Sequence, residues 1–251
     1  MDRLALIEHL AGEGVQLVTS ANRAGWDAPV PRTDWDVRQL ITHVGGVHRW
    51  ACDVVRTGAT DLDTPLGRVV GSGPTDDELS DWFVDGHAAL VAALQDAPTD
   101  LVAGTFLPAP SPVHFWARRQ AHETAIHRAD ADAACGDRSD YSAGFAQDGI
   151  SELLHGFAAR RSVAVDGQAR ILLDATDGPS WLVTLGQPIR ATEVAAADRG
   201  EIDRAGVGLA VVGGSSSDLY LWLWNRDSRV VLSGSSTVAA LWASTVQVRW
   251  S

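Results

Sequence analysis

The first part of the chain alternates between amphipathic helical patterns and polar loops. Apolar side chains recur every three or four residues from Leu4 to Asn22 and again from Trp35 to Arg56, which is the spacing of one buried helix face. Thr33 or Asp34 is expected to cap the second helix, because such side chains accept hydrogen bonds from the free N–H groups of a first turn. Residues 58–74 are rich in Gly, Pro and Asp and are predicted to form a loop.

Two further helices begin at recognisable start signals. Thr75 and Glu78 form a capping-box pattern ahead of a third helix that reaches residue 94. Ser111 before Pro112 opens a fourth helix that reaches residue 133, since proline is favoured at the first helical position. Four helices joined in this way predict an up-and-down bundle.

The hydrophobic rhythm changes near residue 160. A fifth amphipathic helix is predicted over residues 143–161, and short segments rich in β-branched and aromatic residues follow it. The predicted strands are Arg170–Ala175, Trp181–Leu185, Gly208–Val212 and Val246–Trp250, with helices at Ser217–Trp224 and Ser236–Ala243 between them. We therefore expect a helical domain over residues 1–160 and a small α+β domain over residues 161–251.

Composition and charge restrict the partners of the protein. The formal net charge is -12 and no segment gathers a run of Lys or Arg, so nucleic acid is not an expected partner. Apolar stretches fall short of the about 20 residues that cross a bilayer, and the first residues lack the pattern of a secretory signal, so no membrane association is expected. Cys52 and Cys135 are too few for a disulfide framework, and reduced cysteines fit the cytoplasmic location that we expect. Tryptophans within helical runs are interpreted as core anchors, namely Trp35, Trp50, Trp82 and Trp116.

The fourth predicted helix carries the sequence RRQAHETAIHRAD. Glu123 and His127 are four residues apart, so they share one helix face about one turn from each other and can bind a single ion. His122 is five residues from His127 and lies well around the helix. The pattern therefore differs from the H-E-x-x-H motif of zinc proteases, and the glutamate is predicted to be a ligand. Other chemistry-bearing or aromatic residues fall on the same general face, namely Trp116, Arg119 and Asp130.

A metal site on this face needs a third ligand from another helix. The second predicted helix offers His43 and His48, which flank its apolar stripe on opposite sides. Facing helices are the usual source of a metal site in a bundle core, but helical spacing does not choose between the two histidines.

The WDVRQLITH segment and the later RRQAHETAIHRAD segment resemble the mycothiol-dependent maleylpyruvate isomerase family. The resemblance covers nearly the whole chain, because GISELLHGFAARR resembles the link between the family's domains and SSDLYLWLWNRD resembles a helix of its C-terminal domain. It implies a DinB-like four-helix bundle followed by a small α+β domain of the sterol-carrier-like kind. It also implies the metal ligands His43, Glu123 and His127, and a functional arginine in the second domain at Arg226.

The resemblance implies a thiol-dependent enzyme. Two histidines and one carboxylate leave a coordination position open, which is typical of catalytic zinc, although other divalent metals accept the same ligands. The implied cosubstrate is mycothiol, a low-molecular-weight thiol, and the implied reaction is addition of the metal-activated thiolate to an electrophilic small molecule. Arg119 and Arg226 are expected to hold substrate carboxylates. Two alternatives are a mycothiol S-transferase that releases a stable adduct and a non-catalytic small-molecule-binding protein.

Overall fold

The computed structural model describes residues 1–195, 198, 202 and 208–246. The chain divides into two compact units, Met1–Ser139 and Asp140–Ser251. The helix predicted over residues 143–161 falls in the second of these units, where it packs against another helix, and the domain boundary near residue 160 stays a prediction. A helical unit followed by a small mixed-sheet unit confirms the predicted fold class.

The first unit consists of four long helices and one short helix. Their bounds are α1 Arg3–Ala24, α2 Val37–Thr57, α3 Leu66–Val70, α4 Leu79–Asp96 and α5 Pro112–Ala134. The predicted start of α5 is confirmed, because the Ser111 side chain accepts from the N–H of His114 and Pro112 follows it. Gly58 ends α2 in the left-handed conformation, with a φ of 69° that favours glycine.

The predicted cap of α2 and the loop after it need correction. Asp36, not Thr33 or Asp34, caps α2, and it forms a reciprocal capping box with Gln39. Thr33 instead donates to the carbonyl of Val30 and accepts from the N–H of Trp35, which fixes the loop ahead of the helix. Within the predicted loop 58–74, residues 66–70 form the short helix α3. Its Val70 methyl packs against Gly46, where a larger side chain would clash.

The bundle core brings apolar residues from all four long helices together. One cluster contains Leu17, Leu40, Ile41, Phe83 and Ala131 among others, with the edges of Trp35 and Trp82 packed against it. Trp116 is fully buried, as expected of a core anchor, whereas Trp35, Trp50 and Trp82 are half-buried. Both cysteines are free thiols.

The second unit begins with helix α6, Ala143–Glu152, which continues as one π-helical turn, Leu153–Phe157, and a short 3-10 turn, Ala158–Arg160. Within the part of the chain that the structure describes, five strands form one sheet in the order β3-β2-β1-β4-β5, in which β1 pairs in parallel with β4 and the other neighbours are antiparallel. The strands are β1 Arg170–Ala175, β2 Ser180–Thr184, β3 Arg190–Val194, β4 Leu209–Gly214 and β5 Val231–Gly234; the helices are α7 Ser216–Leu223 and α8 Ser236–Thr245.

Sequence patterns missed the two edge strands of this sheet. Strands β3 and β5 are largely exposed, so they lack the apolar pattern that marks β1 and β4. Most of the strand predicted over 246–250 lies outside the described residues, because these end at Val246. Val246 itself follows the end of α8. None of the described helices is both long and apolar enough to span a membrane.

Candidate metal centre

Helices α2 and α5 bring three metal-ligating side chains together in the first unit. The Nε2 atom of His43 lies 3.6 Å from Oε1 of Glu123, and the Nε2 atom of His127 lies 3.3 Å from the same oxygen. The two imidazole rings meet edge to face with their centroids 5.3 Å apart. One ligand atom from each residue falls within 4.8 Å of the other two. Among the described residues these side chains alone form such a group of three.

The spacing of these atoms and their lack of hydrogen bonds fit a divalent ion. Ligand atoms that surround zinc tetrahedrally at about 2.05 Å lie about 3.3 Å from one another, close to the two separations observed here. Nε2 of His43 and Oε1 of Glu123 are buried and have no hydrogen-bond partner. Buried polar atoms are almost always paired, so these two atoms point to a group that both of them bind. Metal binding by the three residues stays a prediction.

Neighbouring side chains orient two of the three ligands. Nδ1 of His127 lies 2.9 Å from Oδ2 of Asp130, so that this ring nitrogen donates to the carboxylate and Nε2 faces Glu123. This is the arrangement in which a carboxylate fixes the tautomer of a metal-binding histidine. Arg119 donates to Oε2 of Glu123 over 3.3 Å, which leaves Oε1 for the cluster.

The charges of the site favour an ionised Glu123. Burial acts to raise the pKa of this carboxyl, but the imidazoles of His127 and His43 and the Arg119 guanidinium hold the pKa well below its ordinary value. Burial alone would lower the pKa of His127. The carboxylates of Asp130 and Glu123 outweigh burial and raise that pKa to about 9. The two carboxylates therefore favour a positive charge on the imidazole that lies between them.

Trp35 covers one side of the cluster. Its indole lies 4.8 Å from the His43 ring and nearly parallel to the His127 ring at 6.2 Å, measured between centroids. Sequence patterns identified this tryptophan only as a core anchor. Its place directly before the cap of α2, eight residues from His43, is the signal that could have assigned it to the site.

Two further histidines of α2 and α5, His48 and His122, do not join the cluster. His48 is fully buried, and its Nε2 pairs with the hydroxyl of Thr124 over 2.9 Å, so of the two histidines of α2 it is His43 that lies in the group with Glu123 and His127. His122 is buried on another side of α5 and does not join the group. Arg226 belongs to the second unit, where it follows α7 and its guanidinium donates to the carbonyl of Trp224 over 2.8 Å.

Fold and site together define a helical bundle that carries a buried His-Glu-His cluster and is followed by a small mixed-sheet unit. The model of the mycothiol maleylpyruvate isomerase N-terminal domain family matches residues 7–132, which include all three residues of the cluster. The chain belongs to this family, as its sequence motifs predicted.

Solved structures agree with this assignment at the level of the fold. The crystal structure of the mycothiol-dependent maleylpyruvate isomerase is similar with a TM-score of 0.62 and 15% sequence identity, over 93% of each chain. A histidine-to-alanine mutant of that enzyme gives the same TM-score at 14% identity, again over 93% of both chains. No curated protein is similar enough to this chain to count as a match.

Proposed function

We propose that the protein is a metal- and thiol-dependent enzyme of the maleylpyruvate isomerase type. The observation that carries this proposal is the convergence of His43, Glu123 and His127 around two buried, unpartnered ligand atoms. Membership of the family and the similar fold of the isomerase support it. Zinc is the proposed metal, because two imidazoles and one carboxylate are a common catalytic zinc ligand set.

The residues around the cluster prepare it for one divalent ion and one further ligand. Asp130 keeps Nε2 of His127 directed at Glu123, and Arg119 occupies the second oxygen of that carboxylate. Three protein ligands leave a coordination position for a small molecule. When bound, the metal supplies Lewis-acid chemistry that lowers the pKa of a thiol from its free value of about 8.5.

The proposed cosubstrate is mycothiol and the proposed substrate is a small electrophile. The reaction class is addition of a thiolate to an electrophilic carbon. Rotation about the former double bond followed by elimination gives an isomer. A reduced thiol cosubstrate fits the cytoplasmic location expected from the sequence.

Two arginines are proposed to hold substrate carboxylates. Arg119 is buried beside the cluster but already donates to Glu123, so its second role requires that a substrate oxygen share the guanidinium. Arg226 is proposed for the same role from the second unit. Replacing each arginine by lysine keeps the charge and removes the fork-shaped donor, so an increase in KM with little change in metal content would support these roles.

Metal analysis followed by a thiol-dependent assay tests the proposal. The purified protein is expected to contain close to one equivalent of zinc, and His43→Ala, Glu123→Ala and His127→Ala are each expected to lose it. His114→Ala on the same helix is the matched control, because His114 bonds the carbonyl of Met1 and lies outside the cluster.

Turnover of maleylpyruvate with mycothiol is then measured by product analysis. Release of the trans isomer, loss of activity on chelation and recovery with zinc are the expected results. A stable thiol adduct would instead identify an S-transferase that uses the same site. A protein that neither retains zinc nor shows zinc-dependent thiol chemistry would contradict the proposal.

A further inference from the structure

Besides the metal cluster, the α2–α5 seam holds other buried polar atoms that lack hydrogen-bond partners among the described residues, and Nδ1 of His48 is one of them. Gln120 is 1% exposed, and its side-chain oxygen Oε1 has no hydrogen-bond partner. Trp50 contributes a buried indole nitrogen, Nε1, that also has none. Folded proteins pair nearly all such atoms, so each of these side chains calls for an explanation.

Gln120 lies next to the metal cluster on the face of α5 that meets α2. It precedes Glu123 by three residues and Thr124 by four, so all three share a face within one turn. The hydroxyl of Thr124 bonds His48 of α2, which shows that this face is the one packed on α2. The Cα atom of Gln120 is therefore about 4.5 Å along the helix axis from that of Glu123, slightly less than one turn.

Trp50 continues the same seam from the side of α2. It follows His43 by seven residues, which is two turns along the same face. Its ring meets Trp116 edge to face at 5.1 Å, and Trp116 is one turn before Gln120 on α5. The indole of Trp116 donates to the carbonyl of Gly104, so of the two neighbouring indoles only that of Trp50 has an unpaired nitrogen.

We propose that Gln120 and Trp50 bind the amide-bearing part of the thiol cosubstrate, an inference that rests on the function proposed above. In a cysteine-derived thiol the amide nitrogen is three bonds from the sulfur. The sulfur-to-nitrogen span and one hydrogen bond together cover about the length of one helical turn. A thiol that has its sulfur at the cluster would therefore present its amide N–H to Oε1 of Gln120. Nε1 of Trp50 donates to a carbonyl or hydroxyl oxygen further along the same ligand.

The neutral chemistry of the two groups selects this class of ligand. Gln120 offers a neutral acceptor and Trp50 a neutral donor, which suit an amide or a sugar hydroxyl better than a carboxylate. A pair of polar atoms kept unsatisfied in the absence of ligand destabilises the fold, as is common for residues retained for binding.

The stability of the ligand-free protein separates a binding role from a structural one. Gln120→Met and Trp50→Phe remove the unpaired atoms and keep most of the side-chain volume. Both variants are expected to melt at or above the wild-type temperature in the absence of thiol, with unchanged zinc content. Trp116→Phe is the matched control and is expected to melt lower, because it loses a satisfied hydrogen bond. A fall in melting temperature for Gln120→Met like that of the control would overturn the proposal.

Calorimetric titration of the zinc-loaded protein tests the binding role directly. Mycothiol and propanethiol serve as probes with and without an amide. Gln120→Met is expected to bind mycothiol about three- to tenfold more weakly than wild type, the effect of losing one neutral hydrogen bond, and to bind propanethiol equally well. Equal mycothiol affinity in variant and wild type would overturn this inference alone. Failure of the zinc-loaded wild type to bind either thiol would overturn the proposed function with it.

Discussion

Asp130 controls which nitrogen of His127 is available for a metal. Its carboxylate accepts from Nδ1 over 2.9 Å, so Nε2 is the nitrogen that faces Glu123. Such carboxylate partners strengthen a histidine ligand and fix its ring, and their loss commonly weakens metal binding by about 10- to 100-fold.

We therefore expect Asp130→Asn to weaken zinc affinity by about 10- to 100-fold while leaving the three ligands in place. Competition with a chromophoric chelator measures the affinity. Asp132→Asn on the same helix is the control, since Asp132 bonds Ser20 and Ser139 rather than a ligand. Equal zinc affinity in the wild type and Asp130→Asn would show that Asp130 does not support the site.

Two other histidines are buried without a role in the metal site. His48 pairs with Thr124, His87 pairs with the carbonyl of Ala11 over 3.3 Å, and their rings are 5.1 Å apart. Burial, and for His48 also the neighbouring His87 and Arg49, lowers the pKa of each imidazole, although Glu123 acts on His48 in the opposite direction. Both rings are therefore neutral in the folded protein at pH 7.

Because these pKa values are depressed by folding, the unfolded chain binds protons first as the pH falls below the ordinary value of 6.5. The free energy of unfolding is therefore maintained above pH 6.5. Below that pH it falls by up to about 1.4 kcal/mol per pH unit for each histidine. Chemical denaturation between pH 7 and pH 5 measures this slope, and His87→Phe is expected to reduce it. An unchanged slope in that variant would assign the acid sensitivity to other groups.

At the scale of elements, glycines set how closely the helices pack. A Cβ atom on Gly14 of α1 would lie 2.3 Å from the imidazole of His87 on α4, whereas one on Gly12 would meet nothing within 4 Å. The two positions share one helix and differ in what faces them.

Gly14→Ala is expected to destabilise the protein by about 1–3 kcal/mol, because it overpacks the α1–α4 contact. Gly12→Ala is expected to stabilise it by up to about 1 kcal/mol through helix propensity alone. Urea denaturation of both variants checks the pair. Stabilisation by both substitutions would show that the α1–α4 contact relaxes at no cost.

The elements also show where sequence patterns succeed. Helix α5 was predicted to within one residue at its C-terminal end, because Ser111 and Pro112 mark its start and its length is unbroken by glycine or proline. The cap of α2 was misassigned, since Thr33, Asp34 and Asp36 are all chemically able to cap and only the path of the loop selects Asp36. Edge strands β3 and β5 escaped detection because exposure removes the apolar alternation on which the prediction depends.

At the scale of the whole molecule, the His43–Glu123–His127 cluster lies entirely within the first unit, so a metal bound there would stabilise that unit directly. A ligand that binds only the folded state adds about 2.7 kcal/mol when its concentration is 100 times its Kd. We expect chelation to lower the melting temperature of the full protein and added zinc to restore it. Differential scanning calorimetry measures the shift, and in His43→Ala the shift should vanish. A zinc-dependent shift that persists in this variant would place the stabilising metal elsewhere.

The sequence by itself determined the helical bundle, the change to a mixed-sheet unit and the pairing of Glu123 with His127, because these depend on periodicity within single segments. Helical spacing left His43 and His48 open, and the tertiary structure places His43, which the family resemblance implied, beside that pair. It also pairs Asp130 with His127 and Arg119 with Glu123, and it leaves Oε1 of Gln120 and Nε1 of Trp50 without a hydrogen-bond partner. The position of His43 and the unpaired atoms depend on how α2 and α5 are rotated against each other. Helix rotation is set by packing over many residues, which no local pattern records.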